Sequence, residues 1–245
     1  MQLKIQNLTI GYEQKPVLSD INLSAQSSEI IALIGKNGVG KSTFLKTLAG
    51  ILPELSGQIF LDNIDLLNLK PKERARFISI VLTDNVDVPM PVNEFLLLGR
   101  QPYTNMWGSI SENDKQVVRE VSEMLQIEAL MDRKISELSD GERQKVLVAR
   151  ALAQETPVIL MDEPTTHLDL ENKAILINNL LKVSKIKNKI IILSTHDINL
   201  VLPKANKIWM TGNSIREIDS LIELKTMFQS GILNYDPDCK IFKLT

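Results

Sequence analysis

The spacing of apolar residues predicts strands towards both ends of the chain and helices in its middle. Near the start, apolar side chains alternate imperfectly with polar ones at 3–10 and again at 17–23, so each stretch predicts a strand that buries one face. Leu55-Ser56-Gly57 predicts a turn that leads into another strand. Segments rich in apolar residues, which are typical of strands buried on both faces of a parallel sheet, occupy 29–34, 77–82, 158–161 and 190–193.

The strand pattern stops at Pro89 and Pro91, and helical spacing of apolar residues follows up to about Gln154. One predicted helix, for which Ser111 is a suitable N-cap, has a single apolar face. That face consists of Val117, Val121, Met124 and Leu125. The insertion at 85–154 is therefore predicted to be helical.

Outside this insertion, predicted strands alternate with helices, which is the pattern of an α/β fold. Helices are expected from Pro71, around 173–184 and 198–204, and in the tail near 223–229. We therefore predict one α/β lobe, formed by 1–84 and 155–245, that is interrupted by a helical subdomain at 85–154.

A glycine-rich loop, Gly35-Lys36-Asn37-Gly38-Val39-Gly40-Lys41-Ser42, follows the apolar run at 29–34 and precedes a helix-like segment at 43–49. It matches G-x-x-x-x-G-K-[ST], the phosphate-binding pattern of nucleotide-binding proteins, at every fixed position. A strand, a glycine loop and a helix N-terminus in this order direct backbone N–H groups towards an anion. We predict a nucleotide site in which Lys41 reaches the β- and γ-phosphates and the Ser42 hydroxyl ligates Mg²⁺.

Two carboxylates, Asp162 and Glu163, directly follow the apolar run at 158–161. At the carboxyl end of a parallel strand, both acids would face the phosphate crevice. Asp162 is then suited to hold Mg²⁺, and Glu163 to polarise the attacking water. A solvated acid pair at a strand end is the alternative, but the phosphate loop upstream favours the catalytic interpretation.

A second candidate anion site is Leu138-Ser139-Asp140-Gly141-Glu142, which precedes a strong helix former at 143–153. Ser139 with Glu142 three residues later is a capping box, and this is a purely structural role. Ser139 and the Gly141 amide at a helix N-terminus also form a candidate anion site. Because the segment lies in the helical insertion, it need not reach the phosphate of the first loop within one subunit.

Composition narrows the class of protein without naming a ligand. The chain has 245 residues, of which 44% are apolar, and its formal net charge is −2 with acids and bases interspersed, which argues against a nucleic-acid partner. The single cysteine, Cys239, rules out an internal disulfide and suits a reducing compartment. The segment 1–6 does not read as a signal peptide, and no apolar run approaches the ~18–20 residues that span a bilayer. A membrane role would therefore require a partner subunit.

Taken together, these segments resemble the nucleotide-binding subunit of ABC (ATP-binding cassette) transporters, and the resemblance covers almost the whole chain. Five motifs occur in the family's order: the phosphate loop at 35–42, the signature at 138–142, the carboxylate pair at 162–163, the D-loop at 166–169 and the switch histidine in 194–196. More narrowly, 98–103 and 141–144 are similar to the ATPases of iron–siderophore, haem and cobalamin importers.

The resemblance implies a P-loop NTPase fold of the α/β class, with a RecA-like mixed sheet core, an antiparallel β subdomain and the inserted helical subdomain. It also implies ATP and Mg²⁺ as cofactors, and a head-to-tail dimer of two copies with two ATP molecules at their interface. Ser139 and Gly141 of one copy would then meet the γ-phosphate that Lys41 of the other copy holds. This arrangement gives the second anion site a role.

The same resemblance assigns catalytic roles to Lys41, to Glu163, and to His196 as the sensor of the γ-phosphate. Tyr12 would stack on adenine, although an ordinary half-buried strand-end tyrosine is the alternative. His196 has a surface helix cap as its alternative, and His167 is expected to pack within the D-loop. The residues expected to contact ATP are Tyr12, Gly35, Asn37, Gly38, Gly40, Lys41, Ser42, Thr43, Ser139, Gly141 and Asp169.

Two positions depart from the family's usual pattern. The family usually has a Gln that ligates Mg²⁺ and water where this chain has Thr83, so the expected metal ligands are Ser42, Asp162 and Thr83, with Asp84 as the alternative to Thr83. The signature usually has Gly where this chain has Asp140. Because a carboxylate aimed at a γ-phosphate would repel it, we predict that Asp140 points outward, where it favours the helix dipole.

The function implied is ATP hydrolysis that drives uptake of an iron–siderophore, haem or cobalamin through a separate transmembrane permease. The ATPase itself would lie peripherally on the cytoplasmic face of the inner membrane. The segment 100–109, with Tyr103 and Trp107, would dock on the permease, and packing within the subdomain is the alternative. Two other functions remain open: a soluble ABC ATPase without a permease, as in iron–sulfur assembly, and the ATPase of an exporter or lipoprotein-release system.

Overall fold

Alternation of apolar and polar residues at the start of the chain produces an antiparallel sheet with one buried face. The computed structural model describes residues 1–82, 86, 88–104 and 108–218, together with the backbone of 233–236 and 241–244. The strands of this sheet lie in the order β2 (Lys15–Gln26), β1 (Gln2–Tyr12), β4 (Glu54–Leu61) and β5 (Ile64–Asp65). The buried face of β1 consists of Leu3, Ile5, Leu8 and Ile10.

The turn predicted at Leu55–Gly57 is wrong, because these residues belong to β4. The pairing of β4 with β1 shifts its register between Gln6 and Thr9. Gly57 has a φ of 105°, and a Cβ at this position would lie 2.5 Å from the Cα of Leu8. The glycine therefore permits a β-bulge in which the two backbones approach closely.

The segments rich in apolar residues form a second, six-stranded sheet. Its order is β10 (Ile215–Glu217), β9 (Lys207–Thr211), β3 (Ile30–Ile34), β8 (Ile190–Ser194), β7 (Val158–Asp162) and β6 (Ile78–Val81). From β9 to β6 all neighbours pair in parallel, and only β10 is antiparallel. Every residue of β3, β7 and β8 is buried, as expected for strands covered on both faces. The predicted α/β sheet is confirmed.

Seven helices accompany the sheets in the described part of the chain. They are α1 (Lys41–Leu48), α2 (Pro71–Arg74), α3 (Val92–Leu98), α4 (Glu112–Leu125), α5 (Asp140–Ala153), α6 (Leu170–Ile186) and α7 (Ile198–Val201). Among the described residues, no helix is long and apolar enough to cross a membrane. A hairpin of β11 (Leu233–Asp236) and β12 (Ile241–Leu244) follows, and the helix predicted near 223–229 lies outside the described residues.

Two of the predicted helices differ in extent from the structure. The helix expected at 173–184 begins earlier, at Leu170, because the Asp169 side chain caps it by accepting from the N–H of Asn172 at 2.8 Å. The helix expected at 198–204 is shorter, because α7 ends at Val201 and a 3₁₀ turn that contains Pro203 occupies 202–204. Short 3₁₀ turns also occur at 101–103, 128–130 and 135–137.

The helices α3, α4 and α5 pack together and share one apolar core with the large sheet. This core includes Phe95 of α3, Val121 of α4, Val148 of α5 and Ile159 of β7, all of them buried. The Ser111 side chain caps α4 as predicted and accepts from the N–H of Asp114 at 3.2 Å. The division of the chain at 84 and 155 remains a proposal.

A buried arginine connects the ends of these helices. Arg100, whose surface is 3% exposed, pairs with Asp114 at 2.8 Å and with Glu155 at 2.9 Å. It also donates to the carbonyl of Ala153 at 2.6 Å, and its guanidinium lies 4.6 Å from the centre of the Tyr103 ring. At least this first residue of the segment 100–109 therefore has a structural role.

Replacing Arg100 by Ala should lower the free energy of unfolding by about 3–5 kcal/mol, because it leaves the Asp114 carboxylate buried without its partner. Urea unfolding followed by circular dichroism measures the change. Arg119→Ala is the control, since Arg119 is exposed on α4 and its guanidinium donates to the exposed Gln116 side chain; its effect should stay within about 0.5 kcal/mol. Equal losses in the two variants would contradict the assignment.

Candidate functional site

The glycine loop that joins β3 to α1 requires glycine at two positions, Gly35 and Gly40. Gly40 precedes α1 with a φ of 101°, and a Cβ there would lie 2.9 Å from the Val17 side chain. A Cβ on Gly35 would collide with the Thr211 hydroxyl. Because α1 begins directly after the loop, its first N–H groups lack helical partners and are available to an anion.

The Lys41 ammonium lies folded over this loop. It is 6% exposed, and its Nζ donates to the carbonyl oxygens of Gly35 at 2.8 Å and of Lys36 at 2.9 Å. Burial lowers the pKa of Lys41, while the negative charges of Glu163 and Asp162 act in the opposite direction. The structure thus brings the ammonium and both carboxylates into one site.

The two carboxylates emerge at the carboxyl end of β7, as predicted. Asp162 is 3% exposed, and its Oδ1 accepts a hydrogen bond from the Ser194 hydroxyl at 2.6 Å. The backbone N–H of Glu163 donates to the same hydroxyl at 2.9 Å. Asp162 is therefore buried and hydrogen-bonded, so the alternative of a solvated acid pair is wrong for this residue.

Glu163 and His196 contact each other directly. The Nε2 of His196 lies 2.7 Å from Oε1 of Glu163, and the two side chains are 45% and 30% exposed. Glu163 has a φ of 48°, a left-handed conformation that is strained for a residue with a side chain. Asp197, rather than His196, is the residue that precedes α7, so the helix-cap interpretation of His196 is wrong.

Tyr12 stands at the end of β1 beside the start of α1. Its hydroxyl lies 3.1 Å from that of Thr43, and the residue is 49% exposed. The ring is therefore fixed at one end and half open, which leaves both interpretations of this tyrosine in place.

The signature segment and the D-loop form a second cluster. A cavity of about 500 Å³ is lined by Ser139, Asp140, Gly141, Glu142, Lys145, His167, Leu168, Asp169 and Asn172. A Cβ on Gly141 would lie 3.0 Å from the carbonyl oxygen of His167, so the D-loop backbone packs against the signature glycine. Ser139 caps α5 in the predicted capping box, in which its N–H donates to Glu142 at 2.8 Å.

Asp140 pairs with a residue of its own helix. Its carboxylate lies 2.8 Å from the Arg143 guanidinium and its side chain is 61% exposed. Asp140 also lines the signature cavity, so its orientation away from a bound phosphate stays a prediction.

The phosphate loop and the signature lie on different cavities. A cavity of about 550 Å³ is lined by Gly35, Lys36, Asn37, Val39, Thr195 and His196, among other residues. It shares no lining residue with the signature cavity described above. Charge interactions and a direct contact connect Lys41, Asp162, Glu163 and His196, whereas Ser139 and Gly141 line the other cavity.

Several predicted residues fall outside the described part of the chain. Thr83 and Asp84, named for the metal, are among them, as are Met106 and Trp107 of the segment 100–109. The described part of that segment borders a groove of about 830 Å³, whose apolar lining includes Leu97, Leu98, Pro102 and Ile110.

Two polar residues of the site have contacts that the sequence motifs did not predict. Ser194 is the hydroxyl residue that ends the otherwise apolar strand β8. A polar residue at the carboxyl end of a buried strand indicates a residue that faces the site, but the motifs themselves do not predict its contacts. Gln144 is buried in α5, and its Nε2 donates to the carbonyl of Pro164 at 3.1 Å. This bond joins the signature helix to the segment between Glu163 and the D-loop.

The fold and this constellation define a P-loop ATPase. The sequence model of the ABC transporter family matches residues 18–166, which is more than half of the chain. The chain therefore belongs to the ABC transporter family, as the ATPase subunit that binds and hydrolyses ATP.

Two sequence relatives agree with this assignment. An uncharacterised ABC transporter ATP-binding protein of Methanocaldococcus jannaschii is 41% identical over 212 residues, which cover 86% of this chain and 73% of the relative. The iron(3+)-hydroxamate import ATP-binding protein of Bacillus subtilis is 33% identical over 198 residues, which cover 80% of this chain and 74% of the relative.

Two solved structures are also similar. One is described as an ABC transporter of the metal-chelate type in an inward-facing conformation; its TM-score is 0.77 at 27% identity, over 98% of this chain and 94% of the other. The second is a dimeric ABC transporter cassette with a TM-score of 0.79 at 27% identity, over 88% of this chain and 97% of the other.

Replacing Glu163 by Gln should reduce kcat about 10²-fold or more, because the amide cannot accept a proton from the attacking water. Binding of ATP should persist, since the phosphate loop is unchanged. Steady-state phosphate release and equilibrium nucleotide binding measure the two effects. Glu128→Gln, at an exposed 3₁₀ turn far along the chain, is the control with the same charge change. An unchanged kcat in Glu163→Gln would show that another group positions the water.

Proposed function

We propose that this chain powers the import of an iron–siderophore, haem or cobalamin through a separate transmembrane permease. The observation that carries the proposal is its 33% identity to a protein named for iron(3+)-hydroxamate import, over 80% of this chain. The segments 98–103 and 141–144, which resemble the ATPases of that class of importer, support it further. The steps below follow from the residues of the site.

Nucleotide binding begins at the phosphate loop. Lys41 is held by two loop carbonyls, and an incoming phosphate offers its ammonium a stronger, charged acceptor. The amides of Gly38 and Gly40 and the hydroxyl of Thr43 would contact other phosphate oxygens, and the half-open ring of Tyr12 offers a face for adenine. Asn37 and Gly35 complete the loop.

Mg²⁺ fits the donor set of this site. Ser42 and Asp162 supply oxygen ligands, which Mg²⁺ prefers, and phosphate oxygens and water commonly complete its shell. Thr83 is the third proposed ligand. When bound, Mg²⁺ would neutralise charge on the β- and γ-phosphates. Among the described residues no group of three or more His, Cys, Asp or Glu side chains could hold a metal, and a nucleotide-bound ion needs none.

Glu163 is the proposed acceptor of the proton from the attacking water. The contact of its Oε1 with His196 at 2.7 Å fixes the carboxylate and leaves the imidazole beside the phosphate loop. His196 would then contact the γ-phosphate and report its presence. In phosphoryl transfer this positioning and charge stabilisation provide most of the catalysis.

A second copy of the chain would complete each site. Within one chain the signature cavity and the phosphate-loop cavity are separate, so Ser139 and Gly141 are available to a nucleotide held elsewhere. In a head-to-tail dimer they would meet the γ-phosphate on the partner's phosphate loop, with Asp169 of the D-loop beside them. Closure on ATP and opening after hydrolysis would drive the permease between its states.

The groove beside α3 is the proposed contact with the permease. Its apolar lining, which includes Ile110 with 37% of its surface exposed, suits a cytoplasmic helix of a membrane subunit. In this arrangement the ATPase would lie peripherally on the cytoplasmic face of the inner membrane.

The dimer can be tested with a variant that binds but does not hydrolyse ATP. Glu163→Gln should elute as a dimer with ATP in gel filtration, and Glu163→Gln combined with Ser139→Arg should elute as a monomer that still binds ATP. The control combines Glu163→Gln with Ser111→Arg, which removes the equivalent cap of α4 away from the signature. A dimer that survives Ser139→Arg would contradict the shared site.

The permease contact can be tested by co-purification of a polytopic membrane protein with this chain from detergent extracts. Ile110→Glu should abolish co-purification and leave the basal ATPase activity unchanged. Ile64→Glu is the control, because Ile64 is 39% exposed but lies on β5, in the other sheet. Vesicles that contain both subunits should take up a labelled iron–hydroxamate, haem or cobalamin when ATP is present. Soluble partners alone, or movement of the substrate in the opposite direction, would overturn the import proposal.

A further inference from the structure

Ser194 occupies the point where the buried sheet meets the nucleotide site. It is the last residue of β8 and has no exposed surface. In the sheet it pairs with Asp162 of β7 on one side and with Leu33 of β3 on the other. Its neighbours are therefore the strand that carries the carboxylates and the strand that leads into the phosphate loop.

The single proton of the Ser194 hydroxyl has a defined destination. The backbone N–H of Glu163 donates to Oγ at 2.9 Å, so Oγ is the acceptor in that bond. The hydroxyl proton is then free to point at Oδ1 of Asp162, which lies 2.6 Å away. This distance is typical of a hydroxyl that donates to an ionised carboxylate.

The hydrogen bond from the Ser194 hydroxyl to Oδ1 restricts the Asp162 carboxylate. A buried carboxylate needs a hydrogen-bond donor, and without one its side chain could rotate away. In the described part of the chain, Ser194 is the residue that donates to Asp162, and it engages Oδ1 only. The other oxygen, Oδ2, is thereby held in one orientation.

The hydrogen bond from the Glu163 N–H to the Ser194 hydroxyl restricts the backbone of Glu163. Its φ of 48° is costly for a residue with a side chain, and such a conformation persists only where surrounding contacts enforce it. The N–H of Glu163 is bonded to Ser194, and the Glu163 side chain meets His196, two residues after Ser194. The last residue of β8 and the segment just after it therefore fix Glu163 at its backbone and at its carboxylate respectively.

We propose that Ser194 is a positioning residue that sets the orientation of the metal-binding carboxylate of Asp162 and of the water-orienting Glu163 through one hydroxyl. The inference rests on the proposed roles of Asp162 and Glu163. It assigns the coupling between them to a side chain on the neighbouring strand rather than to either acid itself.

The test separates metal binding from turnover. The Kd of ADP is measured by calorimetry in excess EDTA and in excess Mg²⁺, for the full-length protein and for Ser194→Ala. The Mg²⁺-dependent gain in affinity should shrink about tenfold in Ser194→Ala, as expected for one hydrogen bond to a charged group, while the Kd in EDTA stays unchanged. In ATPase assays kcat should fall at least as much, and KM for ATP at saturating Mg²⁺ should change less than kcat.

Two further variants distinguish positioning from a merely structural hydroxyl. Ser194→Thr keeps the hydroxyl on a strand that favours β-branched residues, and it should restore both the Mg²⁺-dependent gain and kcat. Ser79→Ala removes another buried hydroxyl of the same sheet, which bonds Thr156 at 2.9 Å at the opposite strand end. It should lower the melting temperature without changing the Mg²⁺-dependent gain.

The outcomes are separable from those of the proposed function. A wild-type protein whose ADP affinity does not respond to Mg²⁺ would overturn the proposed metal site itself. A normal response in the wild type that persists in a folded Ser194→Ala variant would overturn only the positioning role. Equal effects of Ser79→Ala and Ser194→Ala on the Mg²⁺-dependent gain would also overturn it.

Discussion

The parallel pairing of β3, β8 and β7 is the constraint on which the site depends. Because the three strands run in the same direction and in register, their carboxyl ends lie at one edge of the sheet. The phosphate loop leaves β3 there, the two carboxylates leave β7 and the histidine follows β8. Main-chain hydrogen bonds therefore bring together residues that are far apart in the sequence, and the buried apolar faces of the strands keep the register fixed.

Charge balance at this edge stabilises the arrangement of Lys41 beside the two carboxylates. Burial makes the ionised form of Lys41 unfavourable, and the nearby Asp162 and Glu163 compensate for part of that cost. The ammonium in turn rests on loop carbonyls whose positions depend on glycine conformations. An anion that enters the loop exchanges weak neutral acceptors for charged phosphate oxygens, so the site is arranged in advance for its ligand.

The helical part of the chain is coupled to this edge through few but specific contacts. Gln144 of α5 bonds the carbonyl of Pro164, and the D-loop backbone packs against Gly141. These two contacts connect the signature helix α5 to the segment that follows Glu163, so the two would move together. At the other end of α5, the buried Arg100 pairs with Asp114 of α4 and donates to the carbonyl of Ala153. The apolar groove beside α3 lies next to this cluster.

The sequence by itself determined most of the strands and helices and indicated the candidate residues of the site. Apolar runs predicted β3, β6, β7 and β8, since burial on both faces requires them, and the glycine loop and the acid pair each have a local pattern that their chemistry demands.

Other features were decided only by the tertiary structure. The sequence predicted a turn at Gly57, whereas the structure has a β-bulge there. The bulge depends on how closely β1 approaches β4, which is a non-local contact. The contact between His196 and Glu163 and the two bonds of Ser194 arise from strand order and register, which no spacing within one segment encodes. Local patterns specify which residues a strand or loop needs, whereas the distances between their side chains are set by the packing of elements that are remote in the chain.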